Sequence, residues 1–168
     1  MNTIHIRKGV RRDIPAVFAL VKELADFENA EGELETSDEQ MESDGFGKRP
    51  LFEWFVAEST VGEIVGSAIF YIGYSTWKGK KLYLDDLIVT DTYRRKGIGE
   101  ALLDHLVNYA MENNVRQIRW HVLNWIKPAL SFYEKVGVDI DDEWITCKMG
   151  REKMKEHYTL LLEKPLSN

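Results

Sequence analysis

The sequence predicts a mixed α/β fold, one sheet with helices on both of its faces, and three observations carry that expectation. Segments 52–58, 63–71 and 81–89 are rich in β-branched and aromatic residues and read as strands. Two other segments carry apolar stripes at helical spacing: Val17, Leu20, Val21, Leu24 and Phe27, then Ile98, Ala101, Leu102, Leu106, Val107 and Ala110. The order along the chain is β-α, then a run of strands, then α-β-α-β. Such an order calls for a mixed sheet covered by helices.

Each element has its own signal. Residues 3–7 alternate as a first strand. Asp13 can cap the first helix, with Pro15 in its opening turn. Residues 26–44 follow, with nine carboxylates and neither Lys nor Arg, and a short helix is expected near 37–43. Residues 60–62 turn between two strands. KLYLDDLIV, residues 81–89, is a third strong strand with two acids inside it, and consecutive strand residues point to opposite faces. YRRKGIGEALL, residues 93–103, opens the second striped helix, which Asn113 and Asn114 end. Residues 116–123 alternate again. Pro128 suits a helical first turn, and Gly137 suits the helix's C-terminal cap. Residues 144–149 read as another strand, REKMKEHY as helical, and TLLLEK as a last strand or an exchanged arm. No repeat, low-complexity tract or linker divides the 168 residues, so a single domain is expected over 1–168.

Composition narrows the function. The chain is 44% hydrophobic and 30% charged, enough for a sizeable core under a soluble surface. No apolar run approaches the ~18 residues of a membrane span, and MNTIHIRKGV lacks a signal core, so a cytoplasmic protein with no membrane role is expected. A net charge of −6 argues against nucleic-acid binding. The acidic stretch is either a solvated loop or an attractive field for a cationic small molecule. The lone cysteine, Cys147, excludes an internal disulfide and a multi-cysteine zinc site, and its alternating surroundings suggest a buried strand thiol.

The stretch 93–103 carries the clearest chemistry. The first amides of a helix lack intrahelical partners and point outward with the positive end of the helix dipole. Glycines admit a phosphate close to that backbone, and Arg94, Arg95 and Lys96 add charge at the rim. A Walker loop is excluded by the missing G-K-[ST], and a dinucleotide fingerprint by Leu102 where its third glycine would follow. By itself the stretch fits an anion site and a solvent-facing basic turn equally well.

RRKGIG, residues 94–99, resembles the Q/R-x-x-G-x-G/A signature of the GCN5-related N-acetyltransferases (GNAT). LVKELADFE (20–28), DGFG (44–47), KLYLDDLIV, YRRKGIG and SFYEKVG (131–137) resemble, in order, the spermidine/spermine and thialysine branch of that family. The resemblance implies a central, mostly antiparallel twisted sheet of six to seven strands, flanked by about four helices. It also implies acetyl-CoA as cosubstrate without a metal, a small cationic amine as acceptor, and a homodimer.

The same resemblance assigns residues. Tyr133 would face the thioester sulfur as general acid. Asp85 stands where relatives carry a proposed base, and its other reading is a hydrogen-bonded strand acid. Leu87, Ile88 and Val89 would hold the pantetheine arm. Arg94, Arg95, Lys96, Gly97, Ile98, Gly99 and Glu100 would hold the pyrophosphate, with Asn124, Pro128 and Ala129 also on the coenzyme side. Phe27, Glu28, Trp77, Asp85, Asp142 and Trp144 would line the amine side, and a carboxylate with an indole suits a cation. Three positions depart from the relatives: Ile126 replaces an asparagine, Ser75 an acid and Ile145 an arginine. The last two fall on the amine side and open the acceptor to shorter diamines, thialysine or a lysine-like amino acid. An acyl-CoA-binding protein without activity, or an acetyltransferase acting on protein amines, are the alternatives.

Overall fold

In a computed structural model, residues 4–163 are described, with the side chain of Glu163 excepted; Thr3 and Lys164, expected in the first strand and the last arm, lie outside them. The chain forms two compact units that meet in sequence between Ile126 and Lys127.

The first unit holds a five-stranded sheet in the order β1 (Ile4–Lys8), β2 (Glu53–Ser59), β3 (Ile64–Ser75), β4 (Gly79–Val89) and β5 (Gln117–Arg119). Neighbours from β1 to β4 pair antiparallel, and β5 joins β4 in parallel. The sheet is thus mixed and mostly antiparallel, as expected, with five strands among the described residues rather than six or seven.

Strand alternation sorts the core into two layers. Trp54, Val56 and Ile69 point to one face and pack with Ile14, Val17, Phe18 and Met41. These come from helices α1 (Ile14–Phe27) and α2 (Asp38–Phe46). Phe55 and Phe70 point to the other face and stack at 5.2 Å, with Tyr109 5.1 Å from Phe70 and His105 4.6 Å from Phe55. Those two rings belong to α3 (Ile98–Glu112), whose Leu102 and Leu106 are fully buried. Helices therefore cover both faces. Gly9 is demanded by packing, since a Cβ there would stand 1.7 Å from the Trp54 indole nitrogen.

Asp13 occupies the N-cap position of α1 without capping it. Its carboxylate accepts both Arg7 Nη1 at 2.7 Å and Arg7 Nη2 at 2.9 Å, plus the Val10 amide at 2.8 Å. The guanidinium fork offers a buried carboxylate more than one helix amide does. The short helix expected near 37–43 is α2, and Ser37 caps it, accepting from the Gln40 amide at 3.1 Å.

The second unit begins with α4 (Lys127–Val136), which carries Pro128 in its first turn and stops at Gly137, with φ of 84°. Two expectations fail beyond it. Residues 144–149 form no strand, because none of the described residues pairs with them, and Cys147 is exposed rather than buried. TLLLEK is no strand either, since Thr159 to Glu163 continue the helix α5 (Arg151–Glu163) that REKMKEHY begins.

Candidate active site

An irregularity in β4 organises the acidic residues. Ile69 pairs with Asp86 and Phe70 with Leu84, so Asp85 is an extra residue in the ladder, a β-bulge. Leu84 lies opposite Phe70 and Leu87 opposite Ala68, and both partners sit on the α3 face. The two residues between them therefore share the other face. Strict alternation would have sent Asp85 and Asp86 to opposite faces, and the inserted residue overturns that expectation.

On that face the carboxylates feel one another. Burial first, then the charges of Asp85 and Glu28, push Asp86 up to about 7. Burial also raises Asp85, which keeps contact with solvent at the bulge, and Glu28, the C-cap of α1. Among the described residues none of the three forms an ion pair. Tyr71 and Tyr83 stack beside them at 5.2 Å, and both phenols are raised by burial first and by the Asp85 charge second. Tyr83 also hydrogen-bonds His121. Sequence reading missed Asp86, Tyr71, Tyr83 and His121. Two adjacent acids within a strand of otherwise apolar character were the available sign.

The same strand ends in the basic turn. β5 pairs with β4 only over Lys81 to Tyr83, so no ladder partner is described for the outer edge of β4 from Leu84 to Val89. The expected strand 116–123 shrinks to three residues here, and its pairing with β4 ends just before the bulge. Ile88 is buried towards α1, while Leu87 and Val89 are half-buried towards α3. After β4 the chain reaches Gly97, the N-cap of α3, with φ of 80°. Nothing lies within 4 Å of where a side chain would stand there, which leaves the approach to the first amides of α3 open. Arg95 is held at φ of 64°, uncommon for a residue with a side chain, and it is exposed. The exposed Lys96 reaches the Thr92 carbonyl at 2.8 Å. Open amides, a helix dipole and exposed cations fit a pyrophosphate-type anion.

The sequence pattern of the acetyltransferase (GNAT) family matches residues 18–138. The chain belongs to this family. It is 33% identical to the thialysine N-epsilon-acetyltransferase of Bos taurus, over 93% of this chain and 98% of that one. It is 32% identical to the human spermidine/spermine N(1)-acetyltransferase-like protein 1, over 92% of this chain and 24% of that much longer one. A Vibrio cholerae integron cassette protein shares the fold at a TM-score of 0.76 and 19% identity, with 92% and 97% of the two chains covered. A soil-metagenome aminoglycoside acetyltransferase solved with sisomicin does so at 0.72 and 18% identity, over 86% and 94%. This GNAT chain is thus an amine N-acetyltransferase.

The remaining expected GNAT positions are spread along the chain. Trp77 is 81% exposed at the tip of the β3–β4 hairpin, which runs longer than its alternation suggested. Ser75 ties that tip, its hydroxyl accepting the amides of Trp77 at 3.3 Å and Lys78 at 3.2 Å. Phe27 is exposed at the end of α1, and Glu100 lies in the first turn of α3. Asn124 is exposed, whereas Ile126 is buried and has no polar group to offer. In the second unit, Pro128 and Ala129 open α4, Tyr133 is buried on it, and Asp142 and Trp144 lie exposed in the irregular segment after it. Among the described residues no His, Cys, Asp and Glu group is placed to hold a metal, and no helix is long and apolar enough to cross a membrane.

Proposed function

We propose that the enzyme transfers the acetyl group of acetyl-CoA to the primary amine of a small polyamine, a diamine, or a thialysine- or lysine-like substrate. The observation that carries this reading is the uncompensated acid face of β4, Asp85 and Asp86 with Glu28, on the strand that leads into the anion-binding turn. Three carboxylates that form no ion pair among the described residues, beside the stacked rings of Tyr71 and Tyr83, suit an ammonium ligand. The names of the bovine and human relatives point to the same acceptor class.

Acetyl-CoA supplies the activated thioester. The amides opening α3, with Arg95 and Lys96, hold its pyrophosphate, and the open edge of β4 from Leu87 to Val89 holds its arm. An ammonium must lose a proton before it can attack. Asp85 and Asp86 accept that proton as a coupled pair, Asp85 being the member open to water. A base pushed towards neutrality is well matched to work near pH 7. Tyr133 donates a proton to the departing thiolate. One acetyltransferase domain over 1–168, and a homodimer in light scattering, belong to the same reading.

The test is thiol release from acetyl-CoA with spermidine, putrescine, thialysine and lysine, compared as kcat/KM. At least one amine is expected to stand far above the others, with Ser75 and Ile145 favouring a short one. Equal, very low values for all four overturn the acceptor class. Tyr133→Phe is expected to lower kcat by about 10²–10⁴-fold, as loss of a general acid does. Full turnover in that variant removes Tyr133 from the chemistry.

A further inference from the structure

Arg94, the first residue of the family signature, does not point its guanidinium at an open anion site. Its Nε donates to the Val89 carbonyl at 2.9 Å, at the end of β4. Its terminal nitrogens lie 3.4 Å from Asp91 and 3.5 Å from Glu23. Its flat face sits 4.7 Å over the Phe27 ring. Glu23 also accepts the Asp91 amide at 2.8 Å, so one carboxylate grips the turn by its backbone and by its arginine together. Glu23 and Phe27 are four residues apart and lie on one side of α1. The next residue, Glu28, closes that helix and acts electrostatically on Asp86.

We propose that Glu23 is a positioning residue for both substrates: through Arg94 it clamps the turn that receives the coenzyme to the last turns of α1, which carry the acceptor-side acid Glu28. The charge facing the coenzyme is then left to Arg95 and Lys96. One ion pair sets the geometry of the donor side and of the acceptor side, so loosening it disturbs both. The amine half of this inference rests on the function proposed above.

Kinetics of the full-length enzyme test it, with acetyl-CoA and the amine that the wild type turns over best, alongside coenzyme A affinity by calorimetry. Glu23→Ala is expected to raise KM for acetyl-CoA and for the amine by about two- to fivefold each, the scale of an ion pair of this exposure, and to weaken coenzyme A similarly. Glu23→Gln keeps an oxygen for the Asp91 amide but loses the charge that faces Arg94, and is expected to recover only part of both losses. Arg94→Lys keeps the positive charge but lacks the Nε donor and the flat face. It is therefore expected to raise the amine KM as well, which loss of a phosphate contact alone would not do. An unchanged amine KM in both Glu23→Ala and Arg94→Lys overturns the clamp, as does a fall in melting temperature with both KM values intact. Should Glu23→Ala not fold, Arg94→Lys and Glu23→Gln decide by the same readings. A wild type that binds coenzyme A but acetylates no amine refutes the acceptor reading alone. The clamp is then judged by coenzyme A affinity, and an unchanged value in Glu23→Ala overturns it.

Discussion

Asp13 and Asp86 are aspartates in the same unit, withdrawn from water to different degrees, and their surroundings drive them in opposite directions. Burial would raise Asp13, but the hydrogen bonds of Arg7 and the Val10 amide outweigh it and hold the carboxyl below its ordinary value. Asp86 meets burial and two further carboxylates, and rises to about 7. Asp13 is 4% exposed and fully satisfied, so its charge is spent on joining β1 to α1. Asp86 has no ion-pair partner among the described residues. A paired buried acid marks architecture, and an unpaired one beside like charges marks a place for a cationic ligand.

Three experiments sharpen or break that contrast. The largest effect is expected from Asp13→Asn, which takes its main partner from Arg7 and leaves it Glu58 alone, and costs about 1.5–3 kcal/mol of stability, read from the denaturant midpoint. Activity of the remaining folded enzyme is expected to hold. A loss below about 1 kcal/mol would place Asp13 with ordinary surface ion pairs.

The second concerns pH. The folded pKa of Asp86 lies above its unfolded value of about 3.9. The folded state therefore keeps a proton that the unfolded state gives up, and the stability contributed by this group falls as pH rises from about 4 to about 7. Asp86→Asn is expected to flatten that decline and to add about 1–2 kcal/mol at pH 8, once screening by water is allowed for, while lowering activity. The linkage at Asp13 has the opposite sign. Its stabilisation is present above the unfolded pKa and is lost as pH falls through the folded one. Thermal melts from pH 4 to 8 separate the two, and an unaltered pH dependence in Asp86→Asn would mean that the carboxyl is not perturbed.

The smallest effect is expected from Glu28→Gln. Removing one of the two like charges named for Asp86 moves the acid limb of the kcat/KM profile downwards while burial keeps it above the ordinary carboxylate range. An upward shift, or none, would detach Glu28 from the acid face.

The parts of this fold legible in the sequence are those governed by local rules. The stripe from Val17 to Phe27, the short helix near 37–43 and the glycine turn at 97 each depend on neighbours within a few residues. Alternation also located β2, β3 and β4, though with β3 and β4 both cut short at their shared hairpin. Non-local partners decided the failures. Residues 144–149 alternate like a strand, but a strand exists only beside another. Asp13 looks like a cap until Arg7 is found within reach. The clamp role of Arg94 depends on Glu23, some seventy residues earlier in the chain, which no motif singles out. Most consequential was the bulge, since its extra residue is visible only in the register between β3 and β4.

That extra residue acts on β4 as an inserted letter acts on a reading frame. Residues before it obey one assignment of inside and outside, and residues after it obey the reverse. Deleting one residue at 85 would therefore do more than shorten the strand by a single step. Either the buried Ile88 or the buried Leu84 would have to turn towards the wrong helix, and a lone aspartate would remain where a pair now stands. The acid face and the two-sided core thus depend on the same extra residue.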